Sequence, residues 1–252
     1  MLSRSNYFAN NRIFRTTGLR QDGRRANELR KIKCKPSVLS QADGSAYIEQ
    51  GNTKCLAAVY GPRETRQKAQ IIHNKANINV EIGLAPFSMP QERRKRSKSD
   101  RRLLEIASAV KQTFEPVIMT SLFARSQIDI YLQILQFDGG TIQICINAAT
   151  LALIDAGIPM QEYVCALSPG ETRKSKYGTI FDNLNNAEEM ADTPELTVAL
   201  LPKSGKFTLL QMDSRLHVDK LEPVMNLAAL GCKDIYKTLD ETVREYVKDL
   251  LH

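Results

Sequence analysis

The chain has 252 residues, 42% of them hydrophobic, enough to bury a real core in one large domain or two intimately packed halves, which excludes disorder as the default. Lysine and arginine number 35 against 28 aspartate and glutamate, and the net charge of +7 favours polyanions without choosing between RNA, DNA and acidic proteins. No run approaches the roughly 20 apolar residues that cross a bilayer, and the five cysteines (Cys34, Cys55, Cys145, Cys165, Cys232) lack the spacing of a zinc site, so reduced, mostly buried thiols and no membrane partner are expected.

The first seventeen residues hold three arginines and no acid, a composition that reads as a flexible tail and also fits a transit peptide. From Ser45 to Tyr60 two apolar or alternating runs flank Gln50, Gly51 and Asn52, predicting a β-hairpin. A β-rich run from Ala76 to Leu84 precedes a polar, arginine- and lysine-rich stretch, Gln91 to Arg101, read as a basic surface loop. The spacing of Leu103, Leu104, Ile106, Ala107, Val110 and Phe114 predicts a helix whose start carries arginines. Ser126 to Phe137 alternates as a strand and ends in a turn at Asp138, Gly139 and Gly140. Ile144 to Ala156 is small and apolar throughout, which predicts a helix buried on most of its surface and stopped by Gly157 and Pro159. Beyond it come a strand over Tyr163 to Leu167, a polar loop around Lys174 to Asn186, a strand over Leu196 to Pro202, a hairpin at Ser204 and Gly205 into Phe207 to Met212, and a helix from about Leu221 to Leu251. Mixed strands and helices with prominent hairpins argue for an α+β fold.

Four stretches, in order, resemble the ribonuclease PH superfamily and, within it, the ring subunits of the RNA exosome: GLRQDGRRANELR (Gly18 to Arg30), DGSAYIEQGNTKCLAAVYGPRE (Asp43 to Glu64), ARSQIDIYLQILQFDGGT (Ala124 to Thr141) and INAATLALIDAGIPM (Ile146 to Met160). The resemblance implies a ribonuclease PH fold of two ribosomal-protein-S5-domain-2-like halves packed as one unit, with a tail at 1–17, a first domain at 18–161 and a second at 162–252. It also implies a hexameric ring of related subunits around a channel threaded by RNA.

Phosphorolysis needs a cationic, donor-rich cradle that holds inorganic phosphate in line with the last RNA linkage. In active members of the family the glycine turn is followed by threonine, arginine and a small hydroxyl residue. Here Thr141 is kept, Ile142 stands at the arginine position and Cys145 at the hydroxyl position. An aliphatic side chain supplies neither the charge nor the donor fork of arginine. Thr141 itself reads either as a surviving ligand or as a turn and helix-capping residue. The family's acidic pair, suited to metal or proton handling, falls on Asn183 and Glu189, and an amide replaces the first carboxylate; Asp182, one residue earlier, restores an acid if the register slips by one.

The resemblance therefore implies a non-catalytic ring subunit with a degenerate site at Thr141, Ile142, Asn183 and Glu189, no metal and no cofactor. The alternative is a phosphate-dependent 3′-to-5′ exoribonuclease that uses phosphate, Mg2+, Asp182, Glu189, Thr141 and Arg102 and releases nucleoside diphosphates. RNA contact is expected of Arg63, matching an RNA-contacting loop, and of Arg101 and Arg102 at the helix start. Expected partners are single-stranded RNA, other ribonuclease-PH-like ring subunits, cap subunits and a separate associated nuclease, and the expected locations are nucleus, nucleolus and cytoplasm. Arg125 fits a buried or interface ion pair, Asp155 a contact with a helix end, and His73 and His217 carry no proposed chemistry.

Overall fold

The computed structural model describes residues 20, 22–25, 28–65, 72–89, 93, 100–172, 179–181, 184, 188, 194–212 and 215–251. The segment 1–17 and residues 94–99 lie outside them. Strands β1 (Ile32–Pro36), β2 (Gly44–Gln50) and β3 (Thr53–Glu64) form an antiparallel meander. The predicted hairpin joins β2 to β3 through Gly51 and Asn52, with Gly51 at φ +63°, a backbone region that glycine enters without steric cost. β4 (Asn77–Leu84) leads to α1 (Arg101–Phe114), and α1 to β5 (Ser126–Gln136). β5 pairs antiparallel with β3 and parallel with β4, so α1 lies on the crossover that a parallel pair requires, and the sheet order is β1-β2-β3-β5-β4.

Helix α2 (Thr141–Asp155) begins three residues before the expected Ile144, because the glycine turn passes straight into it. Eleven of its fifteen residues are buried, so its apolar surface has no solvent face to keep polar and it forms the centre of the molecule. On one side it approaches β2 so closely that a Cβ on Gly44 would stand 2.3 Å from the Ala152 carbonyl oxygen. Asp155 meets a strand rather than a helix end: its Oδ2 accepts from the Ser45 amide at 2.8 Å.

The rest of the chain supplies β6 (Cys165–Leu167), the short pair β7 (Gly170–Thr172) and β8 (Thr179–Phe181), then β9 (Leu196–Leu201), β10 (Lys206–Met212) and α3 (Val218–Leu251). β10, β9 and β6 form a three-stranded antiparallel sheet in that order. The strand expected from Tyr163 is shortened to three residues, and α3 starts at Val218, tolerating Pro223 close to its N-terminus, where a proline interrupts little of the helix. The fold is thus α+β, and one continuous core runs from Ile48 and Val59 of the larger sheet through α2 to Leu200, Cys232 and Ile235. All five cysteines are free, four of them buried.

A polar stripe on α2 joins the two sheets. Gln143, Asn147 and Thr150 recur at one face of the helix. Gln143 Oε1 accepts from the Ser168 amide at 2.8 Å. Asn147 accepts from the Ala166 amide at 2.8 Å and donates to its carbonyl at 3.1 Å, and Thr150 donates to the Val164 carbonyl at 2.8 Å. These four bonds serve alternate residues along the free edge of β6, satisfying backbone groups that a further strand would otherwise pair. A second tie is the buried ion pair of Arg20 with Glu188: Arg20 Nε donates to Glu188 Oε1 at 2.8 Å and its Nη2 to Oε2.

Candidate nucleic-acid interface

Asp100 caps α1, its Oδ1 accepting from the Arg102 amide at 3.1 Å, and this sets Arg101 and Arg102 on the first turn. Across from them the glycine turn delivers Thr141 and Ile142 on the first turn of α2. Gly140 is at φ +66°, a left-handed backbone region that favours glycine, and a Cβ there would also displace the Gln143 side chain. The two helix starts face a cleft of about 640 Å³ whose third wall comes from the smaller sheet: Glu195, Thr197 and, in register with Thr197, Gln211.

Arg102, Thr141 and Ile142 thus line one cleft. The N-cap of α2 is Gly140 rather than Thr141, which is the first helical residue. Cys145 does not reach the cleft. It is fully buried and meets Cys55 of β3, and that side-chain contact, with burial, pushes the Cys55 thiol well above its usual range. Among the described residues the charged lining consists of Arg101 and Arg102 against Asp100, Glu105 and Glu195, and Arg101 Nε already donates to Glu105 Oε1 at 3.2 Å. Asp182, Asn183 and Glu189 lie outside the described residues. Glu188, next to the last of these, is committed to Arg20 in the interior. Among the described residues no group of three or more histidine, cysteine, aspartate or glutamate side chains is placed to hold a metal ion.

Arg63 stands elsewhere. It lies on β3 rather than in a loop, opposite Gln127 at the start of β5, whereas the cleft lies beyond the other end of that strand. At the rise of a β-strand the two sites are separated by roughly 30 Å. Arg63 Nη2 and Nε donate to Asp129 Oδ2 at 2.8 and 3.2 Å, and its guanidinium carbon lies 5.0 Å from the Tyr60 ring centre, a cation–π arrangement. Burial alone would raise the Asp129 carboxyl, but hydrogen bonds from Gln127, Asn79 and Arg63, with the charge of Arg63, bring it below the usual carboxylate range. Arg125 is exposed at φ +63° just before β5 and makes no buried pair.

Glu195, Thr197 and Gln211 were not singled out by the sequence, although strand alternation places Glu195 and Thr197 on one face. Nothing local in the sequence brings that face to α1. Arg20 falls within the Gly18 to Arg30 stretch and Glu188 precedes Glu189, but their 168-residue separation leaves no periodic signal.

Comparison with known proteins gives a consistent result. The 3′ exoribonuclease family, domain 1, matches residues 28–159. The exosome complex component RRP41 of Homo sapiens is 51% identical over 233 residues, covering 92% of this chain and 93% of that protein. The RRP41 homolog of Arabidopsis thaliana is 47% identical over 92% of this chain and 95% of its own length. The crystal structure of rice (Oryza sativa) Rrp46 superposes with a TM-score of 0.78, covering 89% of this chain and all of that one at 23% identity, a likeness of fold. With half its length matched by the family and nine-tenths of it aligned to RRP41 proteins, the chain belongs to the ribonuclease PH superfamily of 3′ exoribonucleases.

Proposed function

We propose that the chain is a ring subunit of an RNA exosome, taking part in 3′-to-5′ RNA processing and degradation, including rRNA maturation and mRNA turnover. It binds single-stranded RNA and helps line the channel without breaking bonds itself. The likeness to proteins named exosome complex components supports assembly with other ribonuclease-PH-like ring subunits. Cap subunits and a separate nuclease complete the proposed complex, which works in nucleus, nucleolus and cytoplasm.

The observation that carries the non-catalytic reading is the lining of the cleft. Phosphate and the RNA linkage bring negative charge that grows in the transition state, and the site must supply cations and donors to meet it. Ile142 lines the place where an arginine is required, and three carboxylates outnumber two arginines among the described residues. Such a cleft repels a free phosphate ion more than it holds one, while Arg101 and Arg102 at its rim still attract an RNA backbone. No cofactor is needed for that role; phosphate and Mg2+ belong only to the catalytic alternative with Asp182, Glu189, Thr141 and Arg102.

The test is release of nucleoside diphosphate from labelled single-stranded RNA, with and without phosphate and Mg2+, by the chain alone and with a ribonuclease-PH-like pairing partner. Salt-sensitive RNA binding weakened by Arg101→Ala, without release, is expected. Release that requires phosphate and disappears in Asp182→Ala overturns the non-catalytic reading.

A further inference from the structure

The inward face of the larger sheet is apolar along Ile48, Cys55 and Ile134, yet at one end it meets two buried polar side chains, Arg30 and Thr53, at 5 and 1% exposure. A buried guanidinium is costly without acceptors, and those it finds are specific. Its stem lies against the β2–β3 hairpin: a Cβ on Gly51 would stand 2.7 Å from Arg30 Cδ, and the Gly51 amide donates to the Lys31 carbonyl at 3.0 Å. Beyond the hairpin, Arg30 Nη1 donates to the Asp138 carbonyl at 2.8 Å and to Thr53 Oγ1 at 3.2 Å. Thr53 Oγ1 donates to the Gly139 carbonyl at 2.9 Å and accepts from the Asp138 amide at 3.2 Å, so the donor and both acceptor positions of this hydroxyl are used. On the outside, Asn52 Nδ2 donates to Asp138 Oδ2 at 3.0 Å.

All these bonds converge on the first half of the glycine turn. Gly139 and Gly140 stand at φ +81° and +66°, and two successive glycines leave a turn with several backbone paths open to it. The direction in which the turn aims α2 is therefore set from outside it. The clamp reaches it from the hairpin and from Arg30, and neither Arg30, Asn52 nor Thr53 lines the cleft. Whatever they do for a bound ligand passes through the turn to Thr141, the first residue of α2 and part of the cleft wall.

We infer that Thr53, together with Arg30 and Asn52, is a positioning residue for the cleft: the clamp fixes the glycine turn so that Thr141 and the first amides of α2, which have no partner within the helix, meet RNA phosphate. A turn without the clamp must be ordered at each binding event, and that ordering weakens binding. This inference rests on the RNA-binding reading of the chain.

Equilibrium binding of labelled single-stranded RNA to the full chain tests it. Thr53→Val removes the hydroxyl and keeps the shape, and weakens binding about fivefold. In a Thr141→Val background the same substitution weakens it by less than about twofold, because the contact that the clamp aims is already gone, whereas its effect and that of the distant Arg63→Ala multiply. Thr53→Ser keeps the hydroxyl and stays within about twofold of the parent chain. Asn52→Ala, at an exposed position, serves if Thr53→Val does not fold: it weakens binding about twofold, and not at all in the Thr141→Val background. Equal losses in the two backgrounds make the clamp a support of the fold only and overturn the inference, as does the absence of any loss. If Thr141→Val leaves affinity unchanged while Arg101→Ala lowers it, the inference falls and the RNA-binding reading stands. A parent chain that binds no RNA overturns both.

Discussion

Arg63 and Arg101 are both surface cations proposed to meet RNA, yet the protein holds them in opposite ways. Arg63 is 40% exposed, gripped by Asp129 and laid against Tyr60, and Asp129 is itself fixed by Asn79 and Gln127. Arg101 is 93% exposed, and its described partner is Glu105 one turn along the same helix. A pinned arginine loses little conformational entropy when it meets a phosphate, but its charge is largely neutralised. An exposed one keeps its charge and must be ordered on binding, and its pair with Glu105 contributes little to stability. The difference separates a cation that holds the fold from one that only decorates it.

The comparison can be broken first at Asp129. Asp129→Ala removes the acceptor shared by Arg63, Asn79 and Gln127, and is expected to cost about 2–3 kcal/mol of stability in urea unfolding. A loss under about 0.5 kcal/mol would mean that the cluster does not hold this end of β5. That contribution also depends on pH. The Asp129 carboxyl titrates below its unfolded value, so the stability it adds is present above about pH 4 and is lost as pH falls through the lower folded value. The difference between the parent chain and Asp129→Ala should therefore shrink in acid, while no such narrowing is expected for Arg101→Ala.

A smaller effect sharpens the contrast. Arg63→Ala is expected to lower both stability, by about 1 kcal/mol, and RNA affinity. Arg101→Ala should leave stability within about 0.5 kcal/mol and reduce the salt dependence of single-stranded RNA binding by about 0.7 in logarithmic slope, one phosphate contact. Equal stability losses in the two variants would erase the distinction. Smallest of all is Arg63→Lys, which keeps the charge but not the two-pronged grip on Asp129, and should recover RNA affinity more fully than stability.

Much of the larger sheet was legible because its signals are local. Gly51 and Asn52 announce a turn between alternating runs, and the apolar residues of α1 repeat at helical spacing. β1 escaped notice because Lys31, Lys33 and Lys35 hide an alternation in which Ile32, Cys34 and Pro36 turn inward. The parallel pairing of β4 with β5 depends on a crossover that no short window reveals. In the cleft, Thr141 and Ile142 could be found through the family's glycine turn and Arg102 through the start of α1. Their neighbours Glu195, Thr197 and Gln211 could not, since they arrive from a different sheet. Cys145, one helical turn beyond Thr141 on the same side of α2, lies deeper, against Cys55 rather than in the cleft, and motif spacing alone carries no depth.

The Arg20–Glu188 clasp joins residues 168 positions apart. A ribosome adding about 5–20 residues each second would take roughly 8–34 seconds to pass from one to the other. Throughout that interval the nascent N-terminal loop has no Glu188 to close on, whatever the first sheet has already built. The clasp thus fastens late in synthesis, and a chain that stops short of Glu188 leaves a buried arginine site without its acid.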